Sequence, residues 1–166
     1  MNFKTHMKIS EYIIRPDLPV PLDVIDKIQV YHANPMSMVR ERLGFAIIVS
    51  KRSGYRPPEH EKEKGRKLTS EHLFKPIDRP GSQKGLGAAD YRTVEHKMAD
   101  MAKLMCELTS YNRLVYYPDN RTPFIHADYR FLGGDRQFFI SSLSQWKQVT
   151  KKEFLQTIRA NKTEQD

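Results

Sequence analysis

Apolar residues recur at helical spacing from Leu22 onward, with Leu22, Ile25 and Ile28 on one side and Asp23 and Asp26 near the positive N-terminal end. Asn34-Pro35 is expected to end that helix, because proline has no N–H for the ladder. A second helix is expected over 35–43, with Met36, Val39 and Leu43 together and Gly44 as its stop. The run Phe45-Ala-Ile-Ile-Val49 reads as a buried central strand. Over 52–92 the periodicity disappears, and this polar stretch reads as a long loop with a helical turn or two within 59–67. The clearest helix is 94–108, where Val94, Met98, Met101, Leu104, Met105 and Leu108 form a core stripe behind Thr93 as N-cap. Alternation then predicts strands at 114–117, 124–130 and 137–142, with turns at Pro118-Asp-Asn-Arg121 and Gly133-Gly-Asp135. A charged helix begins at Lys151. The expected fold is α+β: a small antiparallel sheet with helices packed on one side, in a single domain over 1–166 that opens with an N-terminal arm over 1–21.

Composition narrows the setting. A chain of 166 residues, 39% of them hydrophobic, suffices for one buried core. Its longest apolar run is five residues. That is far below the about 20 of a membrane span and the roughly 7–15 of a secretory signal. The expectation is a chain made in the cytoplasm, without signal peptide or membrane span. One cysteine, Cys106, excludes an internal disulfide and every cysteine-based zinc site. The net charge of +8 suits a polyanionic partner, either nucleic acid or the anionic polymers of a bacterial wall, and equally suits simple solubility.

Chemistry concentrates in three places. In the strand near 124–130, Ile125, Ala127 and Tyr129 share one face, and His126, Asp128 and Arg130 share the other. Such a polar row is either a solvated edge or half of a site. His72 and Asp90 extend the choice, since imidazole nitrogen and carboxylate oxygen bind zinc, and three protein ligands leave a position open for water. With six histidines in the chain, spacing alone leaves many triples open.

Four segments in order narrow that choice: S-G-Y-R-P-P-E-H at 53–60, S-E-H-L at 70–73, G-A-A-D-Y at 87–91, and Y-Y-P…F-I-H-A-D-Y-R over 116–130. Together they resemble the D-alanyl-D-alanine carboxypeptidase-like zinc peptidases, which include VanX-type dipeptidases, phage L,D-endolysins and murein endopeptidases. The likeness spans roughly 22–130. It implies one zinc ion on the open face of the sheet, held by His72, Asp90 and His126. It implies that Arg56 contacts the scissile carbonyl and that Ser70 and Tyr117 line the substrate site. The implied activity is hydrolysis of peptide bonds in peptidoglycan stem peptides by a monomeric lysis enzyme, reaching the wall after release, with no role for nucleic acid.

Two departures stand out. His72 and Asp90 lie 18 positions apart, wider than the likeness leads one to expect, so 75–84 reads as an inserted loop, which costs little to close. Asp78, inside it, is a rival ligand without the small neighbours of Asp90. Many members also carry a glutamate where Pro123 stands, and proline moves no proton. Asp128, on the same strand face as His126, becomes the candidate, either as general base or as a group that orients a ligand. The alternative function is a catalytically degenerate wall- or nucleic-acid-binding domain of the same fold.

Overall fold

The computed structural model describes residues 6–77, 84–119, 121–130, 135–142 and 145–161. Asp78, most of the expected insert, and Gly133-Gly134 lie outside these residues. The helical pattern from Leu22 becomes α1 (Leu22–Lys27), a π-helical segment (Ile28–Ala33) and α2 (Asn34–Leu43) in unbroken succession. Asn34-Pro35 therefore does not end the helix. In continuous α-geometry the ring of Pro35 would crowd the carbonyl four residues back. The π-segment shifts the register, so that the Asn34 N–H bonds the Gln29 carbonyl five back and Pro35 enters the first turn of α2. Gly44, at φ 69°, closes α2 as expected.

Six strands form one sheet among the described residues, in the order β1-β2-β4-β3-β5-β6. They are β1 (Ile48–Val49), β2 (Ala88–Arg92), β3 (Arg113–Tyr117), β4 (Phe124–Asp128), β5 (Gln137–Ser142) and β6 (Gln145–Val149). The pairings are antiparallel except β3 with β5, which run parallel. The run 45–49 thus supplies a two-residue edge strand and not a central one; Ile47 and Val49 are buried while Ile48 turns outward. The stretch 52–92 is also not one loop. It holds α3 (Pro58–Glu63), a 3-10 turn (Glu71–Leu73) and the interior strand β2.

One face of the sheet builds the core. Ala89, Tyr91, Leu114, Tyr116, Ile125, Ala127 and Phe138 join Met36 and Val39 of α2 in one buried cluster. The helix α4 (Met98–Leu108) adds Met98, Met101, Ala102 and Met105, and α5 (Lys151–Ala160) adds Phe154 and Ile158. Helix α4 starts later than expected. Val94 is partly exposed, and the N-cap of α4 is Lys97 and not Thr93, whose hydroxyl donates to the Ala46 carbonyl. The π-segment contributes a fully buried His32. Burial lowers its pKa to about 4, so the ring is neutral. Its Nε2–H donates to the Leu86 carbonyl at 2.9 Å, and Nδ1 accepts from the Tyr111 hydroxyl at 3.0 Å. This contact ties the entry of β2 to the helical layer. The other sheet face carries the polar row.

Candidate metal centre

Strand register assembles the site. Asp90 on β2 lies directly opposite His126 on β4, and Arg113 on β3 lies opposite Asp128. Directly opposed residues share a face. Ala88, opposite Asp128, keeps that neighbourhood open for the carboxylate. Strand β2 itself is fixed from outside the sheet, where the Asp90 N–H donates to the Ser53 carbonyl at 3.2 Å and the Asp90 carbonyl accepts from Ser50 N–H at 2.9 Å.

His72 arrives from the 3-10 turn. Ser70 caps that turn, its hydroxyl accepting from the His72 N–H at 3.3 Å. The strap 53–56 then grips the histidine twice. Arg56 N–H donates to the His72 carbonyl at 2.8 Å, and His72 Nδ1–H donates to the Gly54 carbonyl at 3.0 Å. Glycine is required at 54 because a Cβ would lie 2.0 Å from the Tyr12 carbonyl oxygen. With Nδ1 occupied, His72 Nε2 faces Asp90 Oδ1 at 3.7 Å, while His126 Nδ1 meets the same oxygen at 2.7 Å.

Ligand atoms of His72, Asp90 and His126 all lie within 4.8 Å of one another, and all three residues are buried. The group can hold a metal ion. Two imidazoles and one carboxylate are a borderline donor set that suits zinc, and each histidine has its second nitrogen engaged, as metal-binding histidines generally do.

The electrostatics differ at the two histidines. Burial lowers the His72 pKa to about 3, against the pull of Asp90, so the ring is neutral with a lone pair available. Burial also opposes charge on His126, but hydrogen bonds donated to Asp128 and Asp90 overcome it and raise the ring to about 9. Asp128 is fully buried yet lowered to about 2, since His126 and Arg113 outweigh the loss of water. Asp90 is also lowered despite burial, chiefly through His126.

These groups sit at the floor of a cleft of about 330 Å³. Arg56, Ser70 and Tyr117, expected near the substrate, line it with the three ligands. Arg56 Nε donates to the Arg52 carbonyl at 2.9 Å; its terminal nitrogens have no hydrogen-bond partner among the described residues. Burial pushes the Tyr117 phenol up to about 12, so it remains a donor. Asp128 lies beneath the floor. His126 Nε2 approaches its Oδ2 at 2.8 Å, Arg113 Nε donates to both of its oxygens, and Arg130 N–H donates to Oδ1 at 3.0 Å.

Four further lining residues bear on the chemistry of the cleft. Glu71 brings a buried carboxylate into the cleft, 4.0 Å from Arg130 Nε. Phe124 stacks on Tyr117 with centroids 4.5 Å apart. Trp146 on β6 stands 6.3 Å from the His126 ring and is 40% exposed. Arg113 lies beneath it. Of these, Arg113 and Trp146 had no signal, because pairing β3 with β4 and β5 with β6 is a matter of register. Glu71 stood beside a proposed ligand and was legible. Among known proteins, the chain matches no family model, no curated sequence and no solved structure.

Proposed function

We propose that this chain is a zinc-dependent peptidase that cleaves peptide bonds in peptidoglycan stem peptides, in the manner of the D-alanyl-D-alanine carboxypeptidase-like enzymes. One observation carries the reading: six residues singled out by motif, Arg56, Ser70, His72, Asp90, Tyr117 and His126, line one cleft. His72, Asp90 and His126 would hold the ion. A zinc ion there supplies Lewis acidity and an acidified water at neutral pH. Arg56 directs guanidinium N–H groups toward a carbonyl oxygen that gains charge during cleavage. Tyr117 and Ser70 offer hydroxyls to the peptide backbone. The contacts of Asp128 favour the orienting role, since its oxygens are taken up by Arg113, Arg130 and His126. Glu71, the other carboxylate lining the cleft beside the proposed ligand Asp90, is then the candidate to accept a proton.

Digestion of purified peptidoglycan, with and without chelator and with product analysis, tests the proposal. Chelator-sensitive release of peptide fragments supports it; full zinc with no product from wall or stem peptides sinks it. One observation favours the second reading, a wall-binding domain without activity. Pro123 stands where many members of the resembled family carry glutamate. Wall binding without cleavage would support that reading. No helix among the described residues is long and apolar enough to cross a membrane.

A further inference from the structure

Arg113 belongs to none of the motifs, yet it is 3% exposed and paired with a carboxylate that is 0% exposed. Burying two charges is favourable only when geometry and hydrogen bonds are nearly complete. Here they are. Arg113 Nε lies 3.1 and 2.9 Å from the two Asp128 oxygens, and Nη2 also reaches Oδ2. Arg130 N–H takes the remaining side of Oδ1, and the Trp146 ring covers the guanidinium, 4.8 Å from its carbon. The carboxylate is thereby fixed in rotation. Its Oδ2 accepts from His126 Nε2, whose other nitrogen meets Asp90.

We propose that Arg113 is a positioning residue of the metal centre, acting through Asp128 to hold the His126 ring where Nδ1 meets the metal ligands. The inference rests on the reading of His72, Asp90 and His126 as a metal site. A purely structural pair would serve to hold β3 to β4. Those strands are already joined over five residue pairs, with Leu114, Ile125 and Ala127 buried behind them. The Arg113–Asp128 pair sits at the end of that ladder and aims its remaining acceptor at a proposed ligand. Lysine would not replace it, because a point charge cannot lock a carboxylate as a planar fork does.

The test measures zinc affinity by chelator competition, and the visible spectrum of the cobalt-substituted form, for the full chain. The variants are Arg113→Met, Arg113→Lys, Asp128→Asn and the double Arg113→Met/Asp128→Asn. Arg113→Met should weaken zinc about 10–100-fold, the usual effect of losing an outer partner of a ligand. Arg113→Lys should recover only part. The double variant should bind zinc no worse than Asp128→Asn alone, because an effect routed through Asp128 has nothing left to act on. A folded Arg113→Met or Arg113→Lys protein with wild-type zinc affinity and cobalt spectrum overturns the inference. So does a double variant whose loss is the product of the two single losses. Should Arg113→Met not fold, Arg113→Lys and the charge-balanced double variant decide. Wild-type protein that takes up no zinc overturns the metal reading itself, and this inference with it.

Discussion

His126 carries the conflict on which the site turns. Without metal it is an imidazolium between Asp90 and Asp128, and a ligand must be neutral. Its folded-state pKa is raised to about 9, so binding at neutral pH must expel its proton. His72, lowered to about 3, is already neutral and releases none. Zinc affinity should therefore rise about tenfold per pH unit from 6.5 toward 9 and then flatten. Calorimetry in buffers of different ionisation heat should count close to one proton released per zinc near pH 7; a count of zero would remove the imidazolium. The stability of metal-free protein should move the other way. A raised histidine stabilises fully below its unfolded value of about 6.5, and that contribution is lost as pH climbs through about 9. The carboxylates divide by contact. Asp128→Asn should chiefly weaken zinc, by about 10–100-fold, with much of the rate restored in excess zinc. Glu71→Gln should keep zinc and cut turnover by about 100-fold or more. The opposite outcome in a zinc titration of both variants would return the proton-carrying role to Asp128.

The strap at 53–56 shows how a short segment sets a site that strands alone cannot complete. Gly54 presses against the Tyr12 carbonyl, and its own carbonyl holds His72 Nδ1. Gly54→Ala should push the strap outward, lower the thermal midpoint and weaken zinc together; unchanged zinc affinity in a folded variant would separate the strap from the site. The glycine in S-G-Y-R was legible as a motif, but its partner, 42 positions earlier, was not. The same division runs through the fold. Helices α2 and α4 and strands β3, β4 and β5 were readable because apolar side chains repeat at their periods. Strand β2 was not, because Gly87-Ala88-Ala89-Asp90 has small and polar residues where a strand signal needs bulk. Strand β6 escaped because Gln145, Trp146, Lys147 and Gln148 are all exposed, as an edge allows. The π-segment was unreadable, since nothing local marks the one-residue shift that admits Pro35 into the helix. That His72, Asp90 and His126 come together was legible only as motifs in order. That Asp128 would be claimed by Arg113 depended on cross-strand register.

The sheet divides the labour of the molecule. One face builds the apolar core against the helices, and the other carries the buried charged groups, so stability and metal binding should be separable. Met101 is fully buried on α4, and Met101→Ala should cost about 2–5 kcal/mol with or without zinc. The metal, by contrast, would join β2, β4 and the 3-10 turn that bears His72, three elements far apart in the chain. A ligand that binds only the folded state stabilises by about 2.7 kcal/mol at a hundredfold excess over its dissociation constant. For a domain of this length about 1 kcal/mol shifts the thermal midpoint by roughly 2–4 °C, so zinc should raise it by about 5–10 °C. Magnesium, which prefers oxygen ligands, should raise it far less. His126→Ala should abolish the zinc increment, whereas Met101→Ala should lower both midpoints and leave the increment in place. Thermal unfolding of the three proteins, each in chelator and in excess zinc, makes the comparison. If Met101→Ala erased the increment while staying folded, the two faces would be coupled through the sheet. If His126→Ala kept it, zinc would be acting somewhere other than this triad.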